Sequence, residues 1–468
     1  MEKFVNEKLE EFKTYIYNRK VAIIGLGVSN IPLLKFLYDL GAIITVFDNR
    51  TVETMPEEIL HILSTCNIDK AFGPGNLNNL SGFEIIFRSP SCLPTTKELI
   101  EEEKRGAIIT TEVEMFMKIC PGKIIGVTGS DGKTTTTTLI YEILKQKGYN
   151  CYVGGNIGIP LFTKVEEMRP EDIIVLELSS FQLMGMGVSP DIAVITNITP
   201  NHLNIHSSYE EYVDSKKNIY KYQNENGILI LNFDNEIVRQ CGLEAKGKVE
   251  FFSRRNKLDN GFIVDEGVIK LCEDKIRRHI LNTRTTMIKG NHNYENICAA
   301  LLATKSFVDI ESAVETVKNF QGVPHRLELV KRVNGVRWYN DSIGTTPIRT
   351  IAGLNSFQEE IILIAGGYDK NLDYTPMGRP ILNKTKGVIL LGQTADKIIE
   401  AIEKESKIRN KTVDIYKCKT LEQCVEVAKE MAKPGQVVLF SPASASFDMF
   451  KNFEERGEKS KELVNKLK

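Results

Sequence analysis

Short runs of apolar, mostly β-branched residues recur along this chain, and a turn and a helical pattern follow each of them. The runs lie at residues 21–27, 42–48, 84–90, 123–129, 172–180, 191–198, 227–234, 336–342, 360–367, 387–392 and 436–442. Strands that are apolar throughout and alternate with helices are typical of parallel sheets covered on both faces. The pattern therefore predicts an α/β fold built from several α/β units in series.

The length of the chain sets the expected number of units. It has 468 residues, and domains of about 100–200 residues predict two to four of them. One boundary is expected near residue 111, before the strand that leads into a glycine-rich loop. A second is expected near residue 322, where the segment "GVPHRLE" follows a helical pattern. The predicted domains are 1–111, 112–322 and 323–468.

Charge and cysteine usage exclude several classes of protein. Lys and Arg number 60 against 61 Asp and Glu, a net charge of −1, which gives no support for bulk binding to nucleic acid or an acidic membrane. No apolar run approaches the roughly 18–20 residues that span a bilayer, and residues 1–20 form an amphipathic helical pattern without a signal peptide's apolar centre. Nine scattered cysteines without C-x-x-C predict free thiols. We expect a monomeric cytoplasmic protein without membrane insertion or a nucleic-acid partner.

The segment "GVTGSDGKTTTTTLI", residues 126–140, resembles a phosphate-binding loop but departs from the common G-x-x-x-x-G-K-[ST] pattern, whose first glycine would fall at Val127. It lies between a buried strand and a helix, where backbone N–H groups and the helix dipole can hold phosphates. Lys133 could reach the terminal phosphates and Thr134 could bind Mg²⁺. A glycine-rich turn with a chance Lys-Thr is the alternative. Threonines are weak helix formers, so the run at 135–138 suggests that hydroxyls are used.

Three other features suggest a nucleotide site. "GLGVSN" (25–30) has two glycines of a dinucleotide fingerprint, with Asn30 in place of the third, and Asp48 ends the next strand where a ribose-binding acid would lie. A nucleotide-diphosphate site, a NAD site and a plain tight turn all stay open there. Glu177 ends a buried strand, where an ionised carboxylate needs a cation such as Mg²⁺. His202 follows the next strand and would lie beside that ion.

For several polar residues, the local sequence alone does not decide between a structural and a functional role. Asn296 could read an adenine edge or cap locally, and Lys216 lies in a basic helical segment that by itself predicts a solvated face. Arg326, Asp341 and Lys370 lie beside predicted strands, and a Ser-rich turn at 441–446 precedes a helix.

Taken together and in this order, these segments resemble the Mur ligase family of bacterial cell-wall enzymes. The family's loop, G-x-T-G-x-[NST]-G-K-[ST]-[ST], accounts for the displaced first glycine. "GGNIG" (154–158), "ELSSFQL" (177–183), "NHL" (201–203), "HNYEN" (292–296), "PHR" (324–326) and "NDS" (340–342) also match, and the resemblance covers essentially the whole chain. It implies a Rossmann-like UDP-binding domain, a central P-loop ATPase-like domain with a parallel sheet, and a C-terminal Rossmann-like domain that binds an amino acid.

Segments at 48–50, 366–374 and 441–457 are most similar to the family branch that adds D-glutamate. The resemblance implies that ATP, UDP-N-acetylmuramoyl-L-alanine and D-glutamate give an amide, ADP and phosphate, through an acyl phosphate and a tetrahedral intermediate. Another Mur-type or folylpolyglutamate-type ligase, or a non-catalytic nucleotide-binding regulator, remains an alternative. The presence of Lys133, Glu177, His202 and Lys216 argues against a regulator, because binding alone would not need the full set.

The resemblance also implies a role for individual residues. Lys133, Glu177, His202 and Lys216 would be catalytic, and Lys133 would stabilise the transferred phosphoryl group. Mg²⁺ would be held by Thr134, Glu177, His202 and Lys216, the last as a carbamate formed with CO₂. That adduct needs a neutral amine and hence a depressed lysine pKa. Lys217 is the competing candidate for the carbamate.

Three sets of binding residues are implied in the same way. For ATP they are Gly126, Thr128, Gly129, Ser130, Asp131, Gly132, Lys133, Thr134, Thr135, Asn296, Arg326 and Asp341. For the UDP substrate they are Ser29, Asp48, Asn49, Arg50, Ser89, Asn156, Ser179 and Gln182. For D-glutamate they are Thr345, Lys370, Ser446 and Phe453. The chain departs from the family pattern at Ile343, often a lysine, at Ser91, often a glycine, and at "NHLN", often "DHLD".

Overall fold

The computed structural model describes residues 4–66, 68–200, 206–370 and 372–468, and its strands form three separate sheets. The chain divides into two compact units, Met1–Phe320 and Gln321–Lys468. The first unit contains two of the sheets and the second contains one. Each of the eleven apolar runs contains a strand, so the α/β prediction is confirmed. The boundaries near residues 111 and 322 stay predictions.

The first sheet consists of five parallel strands. They are β1 (Lys20–Ile24), β2 (Ile43–Asp48), β3 (Asp69–Phe72), β4 (Ile85–Arg88) and β5 (Ile108–Thr110). The accompanying helices are α1 (Glu7–Ile16), α2 (Asn30–Asp39), α3 (Glu57–Thr65), α4 (Lys97–Lys104) and α5 (Glu112–Ile119). The strand order β3-β2-β1-β4-β5 is that of a Rossmann-type sheet, which binds ligands where the order reverses beside β1.

The second sheet has nine strands and carries the glycine-rich loop. Its strands are β6 (Lys123–Thr128), β7 (Cys151–Gly155), β8 (Ile173–Glu177), β9 (Ile192–Ile195), β10 (Ile228–Asn232), β11 (Lys248–Ser253), β12 (Gly261–Asp265), β13 (Val268–Glu273) and β14 (Ile276–Asn282). Its helices are α6 (Lys133–Gln146), α7 (Ser180–Leu183), α8 (Tyr209–Lys221), α9 (Glu236–Cys241), α10 (Asn291–Thr304) and α11 (Ile310–Asn319). The strand order is β14-β13-β12-β11-β10-β9-β6-β8-β7.

One end of this second sheet differs from the predicted parallel arrangement. Strands β12, β13 and β14 pair antiparallel. Two-residue turns join them, and both residues of each turn, Glu266–Gly267 and Asp274–Lys275, have positive φ. Such turns match the twist of a tight hairpin. The strands around the glycine-rich loop, from β7 to β12, are parallel as predicted.

The third sheet makes up the core of the second unit. Its strands are β15 (Glu328–Val333), β16 (Val336–Asn340), β17 (Ile361–Ala365), β18 (Thr385–Leu390), β19 (Asp414–Lys417) and β20 (Val437–Phe440), in the order β15-β16-β20-β17-β18-β19. Its helices are α12 (Pro347–Asn355), α13 (Gly378–Lys384), α14 (Ala395–Arg409), α15 (Leu421–Met431) and α16 (Phe453–Asn465). Only the edge strand β15 is antiparallel to its neighbour.

The burial of β8 shows why such strands are apolar throughout. Ile174 and Leu176 pack into the core on one face of the sheet, and Ile173 and Val175 pack into the core on the other. Alternate side chains of a strand point to opposite faces, so a covered sheet buries all of them. No helix among the described residues is both long and apolar enough to cross a membrane.

Candidate active site

The glycine-rich loop joins the end of β6 to the start of α6, beside the ends of β8 and β9. Gly129 has φ +150° and Gly132 has φ +82°, conformations that side chains rarely adopt. A Cβ on Gly129 would clash with the Thr196 hydroxyl, and one on Gly132 would clash with the Asn296 side-chain oxygen. The two glycines therefore let the loop lie against β9 and α10, with the N-terminus of α6 facing the place where phosphates would bind.

Contacts from the loop after β9 fix the shape of the glycine-rich loop. The Ser130 hydroxyl accepts from the Thr199 N–H at 2.9 Å and contacts the Tyr212 hydroxyl at 2.8 Å. The Asp131 N–H donates to the Asn197 side-chain oxygen at 2.9 Å. Lys133 folds back over the loop, and its Nζ lies 2.9 Å from the Gly129 carbonyl and 3.0 Å from that of Ser130. Its ammonium is thus positioned at the predicted phosphate site.

The threonines of this segment have different surroundings. The Thr128 hydroxyl is buried and donates to the Leu178 carbonyl at 2.7 Å. Thr134 is half-buried in the first turn of α6, and Thr135 beside it is buried. The expectation that the threonine run uses its hydroxyls is wrong for Thr136 and Thr137, whose hydroxyls are buried without a hydrogen-bond partner among the described residues. Both face inward, because α6 packs against β8 and α10.

Glu177 is buried at the carboxyl end of β8, as predicted. Its Oε1 accepts from the Asn156 side-chain amide at 2.8 Å, and its backbone carbonyl accepts from the Asn156 N–H at 2.7 Å. The other oxygen, Oε2, is buried and has no hydrogen-bond partner among the residues that the structure describes. A buried carboxylate oxygen without a partner is costly unless a cation neutralises it. Asn156, assigned to the muramoyl substrate, therefore also orients Glu177.

Lys216 is buried on α8, so the solvated face expected from its segment is wrong at this position. Its Nζ donates to the Gly129 carbonyl at 2.9 Å and lies 4.8 Å from the centre of the Tyr212 ring. Burial, followed by the charge of Lys133, holds the pKa of Lys216 well below its ordinary value. Lys217 instead pairs with Glu244 at 2.7 Å. Of the two lysines, Lys216 is the one that adjoins the glycine-rich loop.

The residues near Glu177 fit a magnesium ion that is held largely by phosphates. In the described part of the chain, no group of three or more His, Cys, Asp or Glu side chains could hold a metal. His202 lies outside the described residues. Mg²⁺ commonly takes one or two carboxylates and completes its shell with substrate phosphates and water, so a single orphaned Glu177 oxygen and the Thr134 hydroxyl suit it.

The predicted UDP residues of the first sheet lie at the carboxyl ends of its strands. Asp48 accepts from the Leu26 N–H at 2.8 Å and from Arg50 at 2.9 and 2.7 Å. Burial acts to raise the pKa of Asp48, but the hydrogen bonds from Arg50 and Leu26 outweigh it and leave the pKa below its ordinary value. The Asn49 side-chain oxygen accepts from Asn76 at 2.8 Å. Asp48 thus fixes both Arg50 and the turn after β1.

The turn after β1 is held by side chains rather than by a third glycine. Asn30, in the position of that glycine, donates to the Gly25 carbonyl at 2.8 Å. Ser89, which directly follows β4, packs against Gly25, and a Cβ on Gly25 would lie 2.7 Å from the Ser89 hydroxyl. That hydroxyl also contacts the Ser91 hydroxyl at 2.9 Å. Ser29 precedes the first residue of α2. These residues surround the point where a Rossmann-type sheet binds its ligand.

Ser179 and Gln182 follow β8 and form a capping box at the start of α7. The Ser179 hydroxyl accepts from the Gln182 N–H at 3.3 Å, and the Gln182 side-chain oxygen accepts from the Ser179 N–H at 3.0 Å. This arrangement satisfies backbone donors at a helix start. Their assignment to the UDP substrate stays a prediction.

In the second unit, Asp341 directly follows β16 and is buried. Its carboxylate accepts from the Ser441 hydroxyl at 2.6 Å and from the Leu327 N–H at 3.2 Å. Burial is the largest cause of its raised pKa, about 6, which those hydrogen bonds and the charge of Arg326 only partly offset. Arg326 is half-buried. The predicted ATP role of this pair stays a prediction, and Asp341 also joins three loops of its own unit.

Three of the four predicted D-glutamate residues lie in loops at the carboxyl ends of strands. Thr345 follows β16, Lys370 follows β17, and Ser446 follows β20. Phe453 begins α16, and its carbonyl accepts from the Ser342 hydroxyl at 2.8 Å. Because parallel strands end at one edge of a sheet, the three loop residues share one edge of the third sheet.

Two residues of the site were missed from the sequence. Arg456 is almost completely buried, and it donates to the Ser444, Ala445 and Ser342 carbonyls at 2.8–3.0 Å. It fastens the Ser-rich turn to the loop after β16. Tyr212 contacts Ser130 and Lys216. The spacing of Tyr212 four residues before Lys216 on a helix was an available signal, whereas nothing in its local segment predicts that Arg456 is buried.

Three family models match consecutive parts of the chain. The one described as "Mur ligase MurD-like, N-terminal domain" matches residues 19–111. "Mur ligase middle domain" matches residues 127–304, and "Mur ligase, glutamate ligase domain" matches residues 325–444. They follow one another in the order of the three sheets.

Curated relatives are similar over the whole length. The UDP-N-acetylmuramoylalanine--D-glutamate ligase of Acetivibrio thermocellus is 48% identical over 465 residues, which is 99% of this chain and 100% of the relative. The ligases of the same name from Clostridium acetobutylicum and Clostridium perfringens are 47% and 45% identical, over 98% of this chain and 99% of each relative.

Solved structures share the fold at much lower identity. MurF from Acinetobacter baumannii has a TM-score of 0.56 at 15% identity, over 99% of both chains. UDP-N-acetylmuramate-alanine ligase MurC from Thermotoga maritima has a TM-score of 0.54 at 15% identity, over 96% of this chain and 99% of that one. These likenesses establish the three-domain fold, and the curated relatives establish the family. The chain belongs to the Mur ligase family, in the branch that contains the D-glutamate ligases to which it is similar.

Proposed function

We propose that the chain is an ATP-dependent ligase that joins D-glutamate to UDP-N-acetylmuramoyl-L-alanine and forms ADP and phosphate. The observation that carries the proposal is the 45–48% identity, along nearly the full length, to ligases named for this reaction. The product is a peptidoglycan precursor, so the activity serves cell-wall synthesis and through it cell shape and division.

The chemistry requires activation of a carboxylate, which is a poor acyl donor. The L-alanine carboxylate attacks the γ-phosphorus of ATP, forming an acyl phosphate and releasing ADP. The amine of D-glutamate then attacks the acyl carbon and loses a proton, and the tetrahedral intermediate collapses to the amide and phosphate. In such phosphoryl transfers the protein mainly positions groups and stabilises charge.

The glycine-rich loop supplies the groups for the first step. Its backbone N–H groups at the start of α6 bind phosphate oxygens. Lys133 donates to the Gly129 and Ser130 carbonyls, and it donates instead to the transferring phosphoryl group when ATP is bound. Asn296 borders this loop at Gly132, which supports its assignment to ATP. Arg326 and Asp341 are proposed for ATP from the second unit.

We propose that Glu177, Thr134, His202 and Lys216 hold Mg²⁺, with Lys216 in its carbamate form. When bound, the ion neutralises charge on the phosphates. The neutral amine of Lys216 attacks the carbon of CO₂, so that a C–N bond forms and one C=O π bond opens onto oxygen. The nitrogen then releases a proton to solvent, which leaves an anionic carbamate. The orphaned oxygen of Glu177 and the depressed pKa of Lys216 support this assignment.

The remaining assignments are those that the family resemblance implies. Asp48, Asn49, Arg50, Ser29 and Ser89 are proposed to hold the UDP group at the first sheet. Asn156, Ser179 and Gln182 are proposed for the muramoyl part. Thr345, Lys370, Ser446 and Phe453 are proposed for D-glutamate, with the Lys370 ammonium pairing with a carboxylate. We further propose that the protein acts as a monomer in the cytoplasm.

The test of the activity is ADP release with UDP-N-acetylmuramoyl-L-alanine and one candidate acceptor at a time. D-Glutamate should support turnover, whereas L-glutamate and meso-diaminopimelate should not. Activity with either of those but not with D-glutamate would show a different Mur-type ligase. The variant Lys133→Ala is the control, and unchanged substrate-dependent turnover in it would rule out the catalytic assignment of the loop.

A matched pair of variants tests the carbamate. Lys216→Met should lower kcat by about a hundredfold or more, the scale of losing one preorganised charge at a transition state. Lys217→Met removes only a surface ion pair and should change kcat by less than about twofold. Wild-type activity should fall when CO₂ and bicarbonate are removed and recover when bicarbonate is added. Equal effects of the two substitutions, or no response to bicarbonate, would contradict the assignment.

A further inference from the structure

An exposed aromatic ring lies directly under the Lys370 ammonium. Phe447 is 58% exposed, although it is a large apolar side chain in a loop. The Nζ of Lys370 lies 5.1 Å from the centre of its ring. A cation within about 6 Å of an aromatic face is attracted by the electron density of that face. The contact therefore restrains a lysine that would otherwise be a flexible chain of four methylene groups.

The two loops that carry these residues are fastened to each other. The Tyr368 N–H donates to the Ala445 carbonyl at 3.0 Å, and a Cβ on Gly367 would clash with that same carbonyl. Arg456 donates to the Ala445 carbonyl from the other side at 2.9 Å. The two loops are therefore joined at Tyr368 and Ala445, each two residues away from the cation–π pair of Lys370 and Phe447.

A second ring sets the orientation of the first. Tyr368 and Phe447 meet edge to face, with ring centres 5.9 Å apart, a favoured geometry for aromatic pairs. Tyr368 is itself partly exposed. Neither ring belongs to the hydrophobic core of the second unit, and both are exposed in part at its surface. Together the two rings form an aromatic surface beside the exposed ammonium of Lys370.

We propose that Phe447 is a positioning residue for the acceptor amino acid: its ring holds the Lys370 ammonium where a carboxylate of that substrate binds. The inference rests on the proposed function, because the pairing of Lys370 with D-glutamate comes from it. A lysine held in place loses less conformational freedom when it binds its partner. Phe447 therefore strengthens substrate binding without touching the reacting atoms.

The expected size of the effect follows from the exposure of the contact. Exposed cation–π contacts correspond to about a two- to fivefold change in a binding constant. Phe447→Leu keeps an apolar side chain but removes the ring, and should raise the KM for D-glutamate by that factor. Its kcat and its KM for ATP should stay unchanged. Phe447→Trp offers a stronger π face and should give a KM at or below that of the wild type.

The experiment measures D-glutamate-dependent ADP release by the full chain in five variants. They are Phe447→Leu, Phe447→Trp, Lys370→Ala, the double variant of Phe447→Leu with Lys370→Ala, and the control Tyr416→Leu. Tyr416 is an exposed aromatic residue on β19, outside both loops, and its substitution should leave the KM unchanged. In the Lys370→Ala background, Phe447→Leu should add nothing, because the ring then has no ammonium to hold.

The outcomes separate this inference from the function on which it rests. The inference is supported if Phe447→Leu raises the KM of the wild type but does not raise the KM of Lys370→Ala any further. The same rise in both backgrounds, or no rise where Lys370→Ala does raise the KM, overturns it. An unchanged KM in Lys370→Ala also overturns it but leaves the ligase activity standing. Absence of D-glutamate-dependent turnover in the wild type overturns the proposed function itself.

Discussion

Replacing Asp341 by Asn should remove part of the pH dependence of the stability of the second unit. Asp341 is 5% exposed, and burial raises its pKa from an ordinary 3.8 to about 6, although Ser441 and Leu327 donate hydrogen bonds to it. Asn has nearly the same shape, keeps one oxygen acceptor and carries no titrating proton. The substitution therefore isolates the ionisation of this one carboxyl group.

The sign follows from proton binding. Because the pKa is higher in the folded protein, the folded state binds more protons than the unfolded chain between about pH 4 and pH 6. Stability from this group is present at low pH and is lost as the pH rises through about 6. Going from pH 7 to pH 5 should add about 1.3 kcal/mol to the free energy of unfolding of the wild type, and none through this group in Asp341→Asn.

The assay uses the chain's single tryptophan. Trp338 is buried on β16, three residues before Asp341, so its fluorescence reports unfolding of the second unit. Urea titrations at pH 7 and pH 5 give the change in unfolding free energy for each protein. Subtracting the two changes cancels the contributions of all other titrating groups. If the wild type and Asp341→Asn show the same change with pH, the pKa of Asp341 is not raised in the folded protein and the reasoning from its burial is refuted.

Two further substitutions test the loops. Gly132→Ala should raise the KM for ATP by about tenfold. Its φ of +82° disfavours alanine by about 1–2 kcal/mol, and the added methyl group would clash with Asn296. An unchanged KM for ATP in the ADP-release assay would contradict this prediction. Arg456→Met should destabilise the second unit by about 2 kcal/mol or more, because the buried carbonyls of Ser444 and Ser342 lose their donor. Tryptophan fluorescence in urea should report the loss, and a loss below about 1 kcal/mol would refute it.

The strands that the sequence predicted are those buried on both faces. A covered strand such as β8 must be apolar at every position, and that pattern is visible without knowledge of its neighbours. Strand β14 could not be found in this way. Five of its seven residues are exposed, and Arg277, Arg278 and His279 interrupt any apolar pattern. A two-residue turn joins it to β13, and its one buried residue, Leu281, lies near its end.

In the candidate site, too, some features could be predicted from the sequence and others depend on the packing of distant segments. The positions of Glu177 and the glycine-rich loop follow from the rule that parallel strands end at one edge of the sheet. The burial of Arg456 does not, since charged residues are rarely buried and its partner Ser342 lies 114 residues away in the chain. Lys216 is similar, because only the packing of α8 on the end of β6 reveals that it is buried.

In the glycine-rich loop, a residue that the sequence predicted and one whose burial it did not predict meet at the same carbonyl oxygen. Lys133 and Lys216 each donate to the Gly129 carbonyl at 2.9 Å. Burial is the largest cause of the lowered pKa of Lys216, and repulsion by the nearby charge of Lys133 lowers that pKa further. If Lys216 becomes the proposed carbamate, its charge changes sign and the same short distance becomes attractive. The surroundings that lower the pKa of Lys216 therefore also favour the proposed modification, and Lys133 contributes to that lowering.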